Sequence, residues 1–158
     1  MKWIFNSGRT LEELYRSAVA GLYARLRSNY DFLYDRFGDE GIKLIAEMSR
    51  SYGLQIAKRA RKRVDGNDAR SVAEYLLRIF ETVGQKEACE IAEMTDNRIV
   101  IKATSCPLQF TNPDMCLAHT TMEKTVVEEL NPRLTYRIGK SIPAGNPYCE
   151  HIIEKKGI

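Results

Sequence analysis

No apolar run in this 158-residue sequence approaches the roughly 20 residues that a helix needs to cross a bilayer. That absence excludes a helical membrane protein. The opening "MKWIFNSGRT" has neither a continuous apolar stretch nor a small-residue cleavage site, so no secretory signal is expected. The sequence carries no glycine-rich phosphate loop and no serine-hydrolase elbow, which argues against nucleotide chemistry and against that class of acyl transfer. It has no helix-turn-helix signal. Its one dense basic run, Lys58 to Arg63, lacks the aromatic residues that single-stranded nucleic-acid sites interleave. With a formal net charge of only +3, a nucleic-acid partner is not expected. There is also no internal repeat and no low-complexity linker. The expectation is therefore one domain over residues 1–158, cytoplasmic, with a small-molecule ligand or substrate and neither membrane nor nucleic acid as partner.

A hydrophobic content of 44% with 28% charged residues suits a chain that buries a core without disulfide support. The first half, residues 1–84, reads as helical. Thr10 and Glu13 match a capping box, and Leu11, Leu14, Ala18, Leu22 and Leu26 follow at helical spacing, with Gly38 as a stop. A second helix fits 41–64, with Gly53 as an interior weakness. Asn67 or Asp68 caps a third over 69–84, whose Val72, Tyr75, Leu76 and Phe80 share a face. Tyr15, Tyr23, Tyr30 and Tyr34 recur with a roughly helical rhythm. They suit a core or a homodimer surface through the N-terminal helices better than a cofactor box.

The pattern changes near Gln85. "KEACEIAEM" and "RIVIKATS" read as strands joined across "TDN", "CLAHTTMEKTVVEEL" as a helix, and "LTYRIGKSI" and the segment from Cys149 as two more strands. The predicted fold class is α+β: N-terminal helices packed on a small antiparallel sheet of β-β-α-β-β order, carried by residues 85–158.

Cysteine is sparse but unevenly placed. Of Cys89, Cys106, Cys116 and Cys149, three fall in the last third of the chain with both histidines, His119 and His151. In a reducing compartment such cysteines serve as ligands, nucleophiles or buried apolar groups rather than as disulfides. Cys116 and His119, three apart on a helix, can face one way; Cys149 and His151, two apart on a strand, share a face. A helix start lowers a thiol's pKa, which marks Cys116 as a nucleophile with His119 or His151 as base and Glu123 as a group to orient the imidazole. Read for metal, Cys106, Cys116, Cys149 and His119 suit zinc or an iron–sulfur cluster. Their spacing does not match a standard zinc finger. Each cysteine taken alone also fits a structural, buried reading, and Cys89, outside the cluster, keeps it.

The segments "CPL" at Cys106, "MCLAH" around Cys116 and "IPAGNPYCEHII" through Cys149 resemble the L-2-amino-thiazoline-4-carboxylic acid hydrolase family, itself reminiscent of 4-vinyl reductase small-molecule-binding domains. The likeness covers about residues 85–155, with a weaker echo in "YGLQIAKRARK". It implies hydrolysis of a small cyclic C–N substrate through a Cys/His-lined site, with Gly145, Asn146 and Tyr148 of the turn as substrate-binding residues. Asn146 stands where that family usually has aspartate, and His119 where an acidic residue is common. The alternative is a non-catalytic module that binds a small molecule, zinc or an iron–sulfur cluster.

Overall fold

The computed structural model describes residues 8–64, 66–83 and 88–157. Helix α1, Leu11–Phe37, opens on the expected capping box: Glu13 N–H donates to Thr10 Oγ1 at 3.2 Å and Thr10 N–H to Glu13 Oε2 at 2.7 Å. Gly38, with φ of 57°, ends it, and α2, Asp39–Ala60, starts at once. Helix α3, Ala69–Thr82, is capped by Asp68, whose side chain accepts from Ser71 N–H at 3.1 Å. Strands β1 (Cys89–Met94) and β2 (Arg98–Ala103) form an antiparallel hairpin. Then come α4 (Pro113–Leu130), β3 (Leu134–Ile138), a short 3-10 turn at Ile142–Ala144 and β4 (Cys149–Lys155). The expected boundary near Gln85 and the strand start at Lys86 lie outside the described residues.

The class is α+β, with four helices and a four-stranded antiparallel sheet among the described residues. In space the strands run β1-β2-β4-β3, so β4 is inserted between β2 and β3. Ile101 pairs with His151 and Ala103 with Cys149 across β2 and β4. The layering departs from three N-terminal helices laid on the sheet. Helices α3 and α4 pack on it, whereas α2 rests mainly on α4, and α1 on α2. The cause lies in the helix faces. Helix α3 buries Val72, Ala73, Leu76 and Phe80 on one side, while α1 buries only Tyr30 in 27 residues.

Two hydrophobic clusters result. One joins α3, α4 and the sheet through Leu76, Ile99, Ile101, Val126 and Ile153. The other joins α1, α2, α4 and the 105–110 loop through Tyr30, Ile45, Leu108, Phe110 and Cys116. Gly53 is not an interior weakness but a contact point between helices. A Cβ there would stand 2.7 Å from the Met122 carbonyl oxygen and 2.8 Å from Thr125 Cβ, so the approach of α2 to α4 needs the missing side chain.

Candidate functional site

Between the two clusters lies a cavity of about 540 Å³, within the range of roughly 300–1,000 Å³ typical of small-molecule sites. All four helices, β2, β3, β4 and the 105–110 loop contribute to its wall. The wall is mainly aliphatic and aromatic, and among the described residues neither lysine nor arginine takes part in it. Leu22 (69% exposed), Met48 (47%) and Tyr52 (53%) belong to the wall and also face solvent, so the cavity opens between α1 and α2.

Cys106, Cys116, Cys149, His119 and His151 all line this one cavity. The i, i+3 spacing on α4 and the i, i+2 spacing on β4 therefore turn their side chains into a shared space. Tyr23 and Tyr30, seven apart on α1, join them, while Tyr15 and Tyr34 are exposed. Gly145, Asn146 and Tyr148 are not part of the wall. Gly145 adopts φ of 87°, the left-handed region that favours glycine. Asn146 donates from Nδ2 to the Ser141 carbonyl at 3.1 Å, and Tyr148 receives Lys140 Nζ at 2.8 Å with the Lys102 ammonium over its ring. These three residues build the turn that delivers β4.

Burial raises the thiols of Cys89, Cys116 and Cys149. Helix α4 begins at Pro113, three residues before Cys116, and the Cys116 N–H is already spent on the Asn112 carbonyl. The free N–H groups at the helix start thus lie elsewhere, with Asn112 Oδ1 accepting from Asp114 and Met115. Burial wins and pushes the Cys116 thiol up to about 12. Burial also raises Cys149, partly offset by the Ile142 N–H that donates to its sulfur at 3.3 Å. Cys89, away from the cavity wall, is raised to about 11 by burial.

Each histidine is paired with a tyrosine. Tyr30 Oη lies 3.1 Å from His119 Nδ1, and Tyr136 Oη lies 2.6 Å from His151 Nδ1. Burial raises both phenols and lowers both imidazoles to about 4. We assign the neutral phenols as donors, which leaves Nδ1 as acceptor and the proton on Nε2 of each neutral ring. These partners are not legible from local spacing, since Tyr30 and His119 are 89 positions apart. Tyr30 also stacks on Phe110 at 6.0 Å, and Phe110 meets His119 edge-on at 5.7 Å.

No hydrogen bond joins Oε2 of Glu123, one turn beyond His119, to the imidazole, whose Nδ1 is paired with Tyr30. The carboxyl is buried, lines the cavity, and its Oε2 has no hydrogen-bond partner among the described residues. Burial pushes its pKa up to about 7. A buried acid on α4 was visible only as an i, i+4 neighbour of His119; its lack of a partner was not. The Ser49 hydroxyl, buried beside Tyr30, likewise makes no hydrogen bond of normal geometry.

A metal centre was expected at Cys106, Cys116, Cys149 and His119. Among the described residues no group of three or more His, Cys, Asp or Glu side chains is placed to hold one ion. No family model matches the chain, and no curated protein matches it.

Proposed function

We propose that this protein is a binding module for a small, largely apolar molecule held in the cavity between the helices and the sheet. One observation carries the reading: an open cavity of about 540 Å³ with a mainly apolar wall, whose apolar surface stands against water until a ligand covers it. The state of its polar groups supports binding over turnover. A thiol with pKa about 12 is ionised in only about one molecule in 10⁵ at neutral pH, and imidazoles lowered to about 4 make weak bases.

The test is titration with the uncharged fluorescent probe N-phenyl-1-naphthylamine. Saturable emission at one probe per chain is expected, lost in Cys106→Trp and weakened in Leu22→Trp, which sit at the wall and the mouth. Emission that never saturates, or that both tryptophan variants retain in full, would refute the cavity as the binding site.

A second reading is hydrolysis of a small cyclic C–N substrate, of the kind that the resemblance implies. What favours it is the gathering of Cys116, His119, His151 and Glu123 around one space. In that reading Glu123, at about 7, moves the protons: the Cys116 sulfur attacks the amidine carbon, the ring C–S bond breaks as the ring sulfur leaves as a thiol, and water then displaces the Cys116 sulfur to leave the carbamoyl group. Incubation with 2-amino-thiazoline-4-carboxylate should then release carbamoyl-cysteine, and Cys116→Ser should abolish the release. No release from the native protein removes this reading and leaves binding standing.

A further inference from the structure

Glu123 poses a specific problem for any ligand that fills the cavity. The residue is 5% exposed, and Oε2 meets no donor among the described residues. Among the described residues the wall contains no lysine or arginine, and its two neutral imidazoles, paired through Nδ1 with Tyr30 and Tyr136, make no hydrogen bond to Oε2. The acidic groups whose charge Glu123 affects are Tyr23, Tyr30, Tyr136 and Cys116, none of which can supply a cation. A buried carboxyl without a donor is a standing cost in either protonation state, and a larger one when charged.

We propose that the cavity takes a largely apolar ligand bearing one primary or secondary amine, whose ammonium group pairs with the Glu123 carboxylate. The inference rests on the binding reading above and adds the chemical class of the ligand. A purely apolar ligand would seal Oε2 away from water and leave it unpaired. An anionic ligand would meet a second negative group with no cation nearby. An ammonium supplies both the missing donor and the missing charge, and a charge-assisted hydrogen bond is stronger than a neutral one. The surroundings suit such a head group. Tyr30 and Phe110 are aromatic and line the cavity near His119, one helical turn from Glu123, and π-faces attract cations. The rest of the wall is apolar and would take a hydrocarbon or aromatic body. The same absence of a wall cation disfavours ligands anchored by a carboxylate or a phosphate.

Calorimetric titration with two matched sets separates the alternatives: 2-(1-naphthyl)ethylamine, 2-(1-naphthyl)ethanol and 1-naphthylacetate, and decylamine, decanol and decanoate below their micellar concentrations. In at least one set the amine should bind on the order of tenfold or more tightly than the alcohol, and the acid more weakly than both. Glu123→Gln should bring the amine to the alcohol's affinity while leaving the alcohol's within about threefold. The comparison of amine with alcohol on the native protein needs no variant, so a folding defect in Glu123→Gln cannot decide it. An alcohol that binds as well as its amine in both sets overturns the amine proposal and leaves apolar binding intact. No binding by any of the six overturns both.

Discussion

A carboxyl group with a bare oxygen inside an apolar wall is held most cheaply as the neutral acid. Glu123 follows that rule, its pKa moving from 4.5 to about 7. In the unfolded chain it ionises at the lower value. Between these two values the folded protein holds the proton more tightly, so stability falls as pH rises through this window. The shift corresponds to about 3 kcal/mol. Without ligand, Glu123→Gln should therefore gain about 3 kcal/mol on the native protein between pH 4 and pH 8, measured by urea unfolding at the two ends. An equal difference at both pH values would show that the carboxyl titrates as it does in water. The thiols give a second residue-level check. Cys116 and Cys149 are buried and raised, whereas Cys106 is half-buried on a loop. Iodoacetamide at pH 7.5 should label Cys106 well before either, as read by mass spectrometry of peptides. Early labelling of Cys116 would restore the activated nucleophile that its place near a helix start suggested.

Helix α2 meets α4 at Gly53, where the Met122 backbone oxygen leaves no room for a methyl group. Backbone cannot move aside as a flexible side chain can. Gly53→Ala should therefore cost about 1–3 kcal/mol despite alanine's better helix propensity, with a lower Tm as the readout; a stabilised variant would show that the helices can separate freely. The loop at 105–110 is tied differently. Arg27 of α1 donates through Nη1 to the Leu108 carbonyl at 3.1 Å and to Gln109 Oε1 at 2.9 Å, and Gln109 sits at φ of 51°. Arg27→Ala should release the loop from α1 and speed exchange of the 106–110 amides, with little effect on α3 or the sheet. Unchanged exchange there would assign the loop's position to Leu108 and Phe110 packing alone. These long-range ties explain which parts of the architecture could be read from the sequence. The Thr10–Glu13 box, the Asp68 cap and the Gly38 stop are local, decided by residues three or four apart. The shared faces of Cys116 with His119 and of Cys149 with His151 follow from helix and strand periodicity. The cavity does not, because it depends on a glycine contact between α2 and α4 and on an arginine 81 positions from its acceptor. The turn at Gly145–Tyr148 reads two ways for the converse reason: its residues serve the backbone path, and a binding site can demand the same residue types.

The whole molecule sums these buried titrations into one pH profile. His119 and His151 are lowered from 6.5 to about 4, so the unfolded chain takes up their protons first as pH falls. Their contribution is complete above pH 6.5 and is lost on acidification from there to about pH 4. Glu123 acts in the opposite sense, losing stability as pH rises from 4.5 to about 7. Across the overlap two histidines oppose one acid. The net stability should rise with pH at about 1.4 kcal/mol per unit between 4.5 and 6.5. Above 6.5 the histidines are silent, and Glu123 alone brings a shallow decline that ends near pH 7. The native protein should thus be most stable close to pH 6.5, with a steep acid side and a small alkaline step. Urea midpoints taken at half-unit intervals from pH 4 to 8 give the curve. Glu123→Gln should erase the alkaline step and steepen the acid side to about 2.7 kcal/mol per unit. A bound amine should reverse the sign of the same step, because its ammonium stabilises the charged carboxyl and draws the Glu123 pKa back down. Stability that peaks instead at pH 5 or below would mean the two imidazoles are protonated in the folded state. In that case one of them, rather than a ligand, would be the partner of Glu123.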